Sequence, residues 1–205
     1  MPFTDQVVFI TGGGNGLGRA FAEAYAAEGA HLALIDVDAS ALDVAVEELR
    51  TGGAQVLGET CDITDADAIR AVVARVVERF GGIDVLVNNA GLHRRKYNEG
   101  FAALTPDEVR ELLDVNVVGA MNCSLACRDA LRTSASGNIV NITSVSANAA
   151  ATPYGVSKLA LWGLTTALAT EFARDGIRVN AIAPGFVGSD GVLGSADRPR
   201  LVAIM

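Results

Sequence analysis

Tyr154 and Lys158 stand four residues apart in Tyr154-Gly-Val-Ser-Lys158, ten residues after Ser144. On a helix, positions four apart share a face, so a phenol and an ammonium would project into the same space. An isolated tyrosine, with a pKa of about 10, exchanges protons poorly at neutral pH. A cation about 4 Å away, at an effective dielectric near 20, is worth about 4 kcal/mol, or about three pKa units. The expectation is a phenol lowered into the range of general acid–base work. The chain carries only two lysines, Lys96 and Lys158, among its 16 basic side chains. A sequence that otherwise uses arginine places lysine where a compact point charge is needed.

A second group lies near the other end of the chain. Thr11-Gly-Gly-Gly-Asn-Gly-Leu-Gly18 puts Gly12, Gly16 and Gly18 in a turn from an apolar strand into a helix. Backbone amides of such a turn, here including Asn15 and Leu17, can hold a pyrophosphate at the helix N-terminus. The spacing is Gly-x-x-x-Gly-x-Gly, and the commoner Gly-x-Gly-x-x-Gly fingerprint is absent. Asp36 closes the next strand, 18 residues past Gly18. A carboxylate there can accept from both hydroxyls of an adenosine ribose and would repel a 2′-phosphate. Neither Asn15 nor Val37 is basic, so NAD is expected over NADP.

These residues need a scaffold, and the hydrophobic period supplies one. Short apolar runs at Val7–Ile10, His31–Ile35, Gln55–Cys61, Ile83–Val87, Asn138–Ile142 and Ile177–Ala183 read as buried parallel strands. Between them lie helix patterns, the clearest being the stripe Ile69, Val72, Val73, Val76, Val77 and Phe80. Thr105-Pro-Asp-Glu108 is a capping box with proline at the first helical position. It predicts one long helix to about Arg132. The helix holding Tyr154 and Lys158 is expected to run to about Asp175, with Gly176 as its cap. Alternating strands and helices predict an α/β fold, a Rossmann-type doubly wound parallel sheet in three α/β/α layers. With no internal linker or repeat, residues 1–205 are read as a single domain.

The formal charge of −8 argues against nonspecific binding to nucleic acid or anionic lipid. No apolar run approaches the roughly 20 residues that span a bilayer, and Met1-Pro-Phe-Thr-Asp5 does not resemble a signal peptide. Three cysteines, Cys61, Cys123 and Cys127, are too few for a disulfide framework and read as buried small apolar residues. A cytoplasmic protein is expected. His93 has no second His or Cys at ligand spacing, so no metal site is expected. His93-Arg-Arg-Lys96 reads either as a solvated loop or as a basic patch steering an anionic substrate.

Taken together, the chain resembles the short-chain dehydrogenase/reductase family from residue 5 to about residue 190. The resemblance rests on the glycine turn, Asp62, Asn88-Asn-Ala-Gly91, Asn116, Ser144, Tyr154 with Lys158, and Pro184-Gly185, in that order. It implies a dehydrogenase or reductase that passes hydride between a secondary alcohol or ketone and NAD. Tyr154 would be the acid–base residue, and Lys158 would depress its pKa and hold the nicotinamide ribose. Ser144, with Ser146 as a rival, would hydrogen-bond the substrate oxygen. Asn116 would help hold a water linking Lys158 to solvent, or pin a helix kink. Asp62 and Ile63 would contact adenine, and Asn89, Ala90 and Gly91 would pack against the adenosine ribose. Pro184, Gly185 and Val187 would face the nicotinamide, with Ser189 where the family often has threonine.

Two departures from the family pattern carry expectations of their own. The Ser144–Tyr154 segment is a few residues short, which would reshape the mouth of the site. Family members usually continue past the sixth strand with a substrate-covering segment and a seventh strand, where this chain has only residues 188–205. The sixth strand is therefore expected at a sheet edge, in a truncated form or one completed by assembly. The family usually pairs through the helices near 105–132 and 154–175, so a homodimer or homotetramer is expected. The alternative function is an NAD(H)-binding protein with little or no turnover.

Overall fold

Val7–Thr11 forms β1, and each of its five side chains is buried. A strand covered on both faces gains from a continuous apolar run, which is what this segment provides. The computed structural model describes residues 1–93, 95–185 and 187. Within them β2 (His31–Asp36), β3 (Val56–Thr60), β4 (Val85–Asn88), β5 (Asn138–Ile142) and β6 (Arg178–Ile182) join β1. They make one sheet in the order β3-β2-β1-β4-β5-β6, and every pairing is parallel. The chain leaves β1 toward β2 and β3, then crosses back to β4. The strand order thus reverses beside β1, and such a switch point opens a crevice at the carboxyl ends of the strands.

Alternate side chains of β1 feed two separate cores. Val7 and Phe9 pack with Val72, Val76, Cys123, Cys127, Leu168 and Phe172 on one face. Val8 and Ile10 pack with Ala22, Leu42, Val46 and Leu49 on the other. The first face is covered by α3 (Ala66–Phe80), α5 (Ala120–Thr133) and α7 (Pro153–Phe172), the second by α1 (Gly16–Ala27) and α2 (Ala39–Thr51). The three layers are those expected from the sequence. Cys123 and Cys127 are wholly buried among apolar neighbours. In α3 the anticipated stripe turns inward, Asp65 caps the helix by accepting from the Asp67 and Ala68 amides, and Gly81 ends it at φ 88°. No helix among the described residues is long and apolar enough to cross a membrane.

The structure differs from expectation in the middle of the chain. The capping box at Thr105 and Glu108 opens α4 (Pro106–Leu113) with both of its reciprocal hydrogen bonds. The helix then widens into a π segment, Asp114–Gly119, before resuming as α5. An inserted π turn re-aims side chains at the cost of regular hydrogen bonding. Here it swings Asn116 inward, and Gly119 lies so close to Ile63 that a Cβ would sit 2.5 Å from Ile63 Cδ1. Short 3-10 turns form at Arg95–Asn98 and Phe101–Ala103, and a single helical turn, α6 (Ser146–Ala149), lies between Ser144 and Tyr154. Among the described residues β6 pairs only with β5 and leaves Asn180, Ala181 and Ile182 exposed, as an edge strand would. Ser189 and the rest of 188–205, with Arg94, lie outside the described residues.

Candidate active site

The crevice at the switch point is a cleft of about 1120 Å³. At one end Gly12, Asn15, Gly16 and Leu17 line it. Gly12 takes φ 66°, and a Cβ there would lie 3.0 Å from Ala90 Cα, so glycine permits both the turn and the close approach. The Asn15 side chain does not cap α1 and no acidic residue sits in its first turn. The first amides of α1 therefore keep their capacity for an anion. Gly18 lies behind this wall, not on it: its Cβ would be 1.9 Å from the Gly12 carbonyl oxygen. It lets α1 seat on the turn.

Asp36 stands at the end of β2 with each oxygen already placed. Oδ2 accepts from the Gly14 amide at 3.0 Å, and Oδ1 from the Asp38 amide at 3.0 Å. A carboxylate has about four acceptor positions, so room for ribose hydroxyls remains. Asp62 lines the next stretch, its Oδ1 accepting from the Thr64 amide and hydroxyl, both at 2.8 Å, with Ile63 buried beside it. Apart from Gly18, the residues expected to hold a nicotinamide dinucleotide therefore line one cleft, with a helix N-terminus to suit the phosphates and a carboxylate to suit the ribose. Such a group fits.

After β4, Asn89 ties the two glycine-containing turns together. Its Nδ2 donates to the Thr11 and Gly12 carbonyls at 3.0 and 3.1 Å. The buried Thr11 hydroxyl accepts from the Asn89 and Ala90 amides, both at 3.0 Å. Thr11 was not singled out from the sequence; its signal was a hydroxyl ending an otherwise apolar strand. Gly91 completes this turn, where a Cβ would lie 3.0 Å from Asn116 Oδ1 and 3.4 Å from Lys158 Nζ.

The chemical end is built on α7 and the end of β5. Thr152 caps α7 by accepting from the Gly155 amide at 3.1 Å, and Pro153 follows at the first helical position. Tyr154 and Lys158 then face inward together, 8% and 4% exposed, and both line the cleft. Ser144 lines it too, accepting from the Ser146 amide at 3.2 Å, and Ser146 remains on the same wall. Pro184, Gly185 and Val187 close the side beyond β6, with the Pro184 carbonyl bonded to the Val145 amide at 3.1 Å.

Asn116 is buried behind the wall and does not line it. Its Oδ1 accepts from the Leu92 amide at 2.7 Å, while Nδ2 donates to the Leu92 carbonyl at 3.3 Å and to Ser157 Oγ at 3.0 Å. Ser157 in turn donates to the Tyr154 carbonyl at 2.8 Å. The carboxamide thus clamps the loop after β4 to the helix bearing Tyr154. Ser157 was overlooked in the sequence because a serine inside a helix pattern carries no distinctive signal.

The electrostatics correct one expectation. Lys158 was expected to lower the phenol of Tyr154; instead burial raises it, and only the Ser144 hydroxyl pulls the other way. The reason is geometric. Lys158 Nζ donates to the Ile142 carbonyl at 2.9 Å and stays 5.7 Å from the centre of the Tyr154 ring. Removed from water, its own ammonium is pushed down to about 8. Of the basic run at 93–96, Lys96 pairs with Glu108 at 2.7 Å, and His93 packs its ring 4.6 Å from that of Tyr154.

The short chain dehydrogenase family model matches residues 6–197. The chain belongs to that family. Its relatives include the short-chain reductase protein NovJ of Streptomyces niveus, 41% identical over 196 residues, covering 95% of this chain and 74% of that protein. Galactitol 2-dehydrogenase (L-tagatose-forming) of Cereibacter sphaeroides is 40% identical over 199 residues, covering 94% of this chain and 75% of that one. Among solved structures, NAD+-bound xylitol dehydrogenase superposes with a TM-score of 0.87 at 34% identity, covering 92% of this chain and 73% of that chain. The superposition with that solved structure extends to the six-stranded parallel sheet and its flanking helices. The chain is accordingly an oxidoreductase of this family.

Proposed function

We propose that this protein interconverts a secondary alcohol and a ketone with NAD as the hydride carrier. The observation that carries the reading is that Tyr154, Lys158 and Ser144 line the same cleft as Gly12, Gly16 and Asp36. NAD, when bound, supplies the hydride acceptor. Asp36 receives the adenosine ribose, and its charge disfavours a 2′-phosphate. The uncapped start of α1 receives the pyrophosphate, and Asp62, Ile63, Asn89, Ala90 and Gly91 line the adenosine side. Lys158 holds the nicotinamide ribose, and Pro184, Gly185 and Val187 back the ring. Ser144 donates a hydrogen bond to the substrate oxygen and steadies its developing charge. The Tyr154 phenol gives its proton to a ketone oxygen, and in the reverse direction its phenolate takes the proton of an alcohol. Asn116 acts through position, holding the Leu92 loop against α7. Residues 1–205 act as one dinucleotide-binding and catalytic unit, in a homo-oligomer.

The test is Tyr154→Phe, which keeps the ring packed and removes the proton carrier. NADH binding, followed by its fluorescence, should stay within about threefold of the parent. Turnover across a panel of alcohols and ketones should fall by about a hundredfold or more. Near-parental turnover in this variant would reject the assignment. A parent that binds NADH tightly yet oxidises no alcohol in the panel would favour a binding protein instead.

A further inference from the structure

Beyond Tyr154 the cleft wall changes character. Leu92, His93, Asn98 and Glu111 also line the cleft, with Leu92 packed against the apolar cluster that holds Tyr154 and the His93 ring 4.6 Å from that of Tyr154. Glu111, in the last turn of α4, is exposed at the rim, but it is not free to wander. The Tyr97 hydroxyl donates to Glu111 Oε2 at 2.8 Å. Tyr97 is 0% exposed and forms one cluster with Leu112 and Tyr154. A wholly buried phenol, packed on the proposed acid–base residue, therefore holds a carboxylate in place at the mouth of the site. The remaining acceptor positions of that carboxylate are open to a hydroxyl donor. Burial, and then the bond to Glu111, raise the Tyr97 phenol, so it stays a donor over the working pH range. Lys96 pairs directly with Glu108, not with Glu111.

We infer that Glu111, positioned by Tyr97, is a specificity-determining residue that selects uncharged substrates bearing a second hydroxyl away from the reacting carbon. This rests on the alcohol–ketone reading above. The carboxylate accepts the remote hydroxyl, and the same charge disfavours substrates with an acidic group. Asn98 and His93 offer further polar partners along the same wall.

The test uses the full chain, NAD, and three kinds of substrate on one frame: cyclohexanol, cyclohexanediols of different hydroxyl separation, and a hydroxycyclohexanecarboxylate. The parent should prefer its best diol over cyclohexanol by about tenfold in kcat/KM, the factor expected for one charge-assisted hydrogen bond at a rim. It should turn over the carboxylate less well than cyclohexanol. Glu111→Ala should bring the diol-to-cyclohexanol ratio close to one. Glu111→Gln, nearly the same shape, should raise the carboxylate-to-cyclohexanol ratio, which loss of a merely structural contact would not do. Tyr97→Phe should raise KM for the diol more than it changes kcat. Ratios in both Glu111 variants equal to the parent's would overturn the assignment and leave the redox reading intact. A parent that oxidises none of the three would overturn both.

Discussion

Lys158→Met should make the protein more stable near neutral pH while ending its turnover. The ammonium is 4% exposed, and burial takes it from 10.5 down to about 8. Keeping it protonated in the fold at neutral pH therefore costs about 3 kcal/mol relative to the unfolded chain. Between the folded value and the unfolded one the unfolded chain holds the proton and the folded chain does not. Stability of the parent thus rises with pH across that window. Methionine has similar length and no charge, so it removes the penalty. Losing the bond to the Ile142 carbonyl gives back about 1–2 kcal/mol. The variant should be about 1–2 kcal/mol more stable than the parent near pH 7, and its advantage should shrink by about 2–3 kcal/mol by pH 10. Denaturant titrations of both proteins at the two pH values measure this directly, and other groups titrating in that range cancel in the difference. A variant–parent difference that is the same at both pH values refutes the buried-ammonium account, as does a variant already less stable near neutrality.

Other outcomes follow from the same geometry. Ser144→Ala removes the one group that opposes the burial-driven rise of the Tyr154 phenol. The pH profile of alcohol oxidation should therefore move its rising limb to higher pH, with kcat down by about a hundredfold; an unmoved limb would separate Ser144 from the phenol. Asp36→Ala removes the charge that disfavours a 2′-phosphate, so the ratio of kcat/KM for NADP to that for NAD should rise about tenfold or more. An unchanged ratio would place cofactor choice elsewhere. Gly18→Ala drives a Cβ to 1.9 Å from the Gly12 carbonyl oxygen, which should cost about 1–3 kcal/mol and lower Tm. NADH affinity should fall with it, since the turn under the phosphates must shift; a parental Tm would show that α1 yields freely.

Much of this site could be seen in the bare chain because its parts are local. A glycine turn after an apolar strand, a carboxylate ending the next strand, and a phenol and lysine four apart each announce themselves within a few residues. The positions of Gly12, Asp36, Tyr154 and Lys158 in one cleft follow from the strand order; the alternating period predicted a doubly wound parallel sheet but not that order. What stayed hidden depends on contacts between distant segments. The π segment at Asp114–Gly119 has no period of its own; it exists because Asn116 satisfies Leu92 and Ser157, far away in the chain. The pairing of Tyr97 with Glu111 was hidden for the same reason. The direction of the Tyr154 shift was misjudged because spacing tells which face a lysine shares, not whether a backbone carbonyl has already claimed it.

The strand order has a bearing on how the chain is made. Residues Val7 to Thr60 bring β1, β2 and β3 out in sequence, and these neighbours can pair as soon as they emerge. The other side of β1 must wait for Val85–Val87, its partners for Val8–Ile10. Until then, the most apolar ribbon of the protein has an open flank, in the kind of long-range parallel pairing that forms slowly. A pause in translation before β4 would leave that flank exposed on the ribosome, which is where a chaperone would find the most to hold.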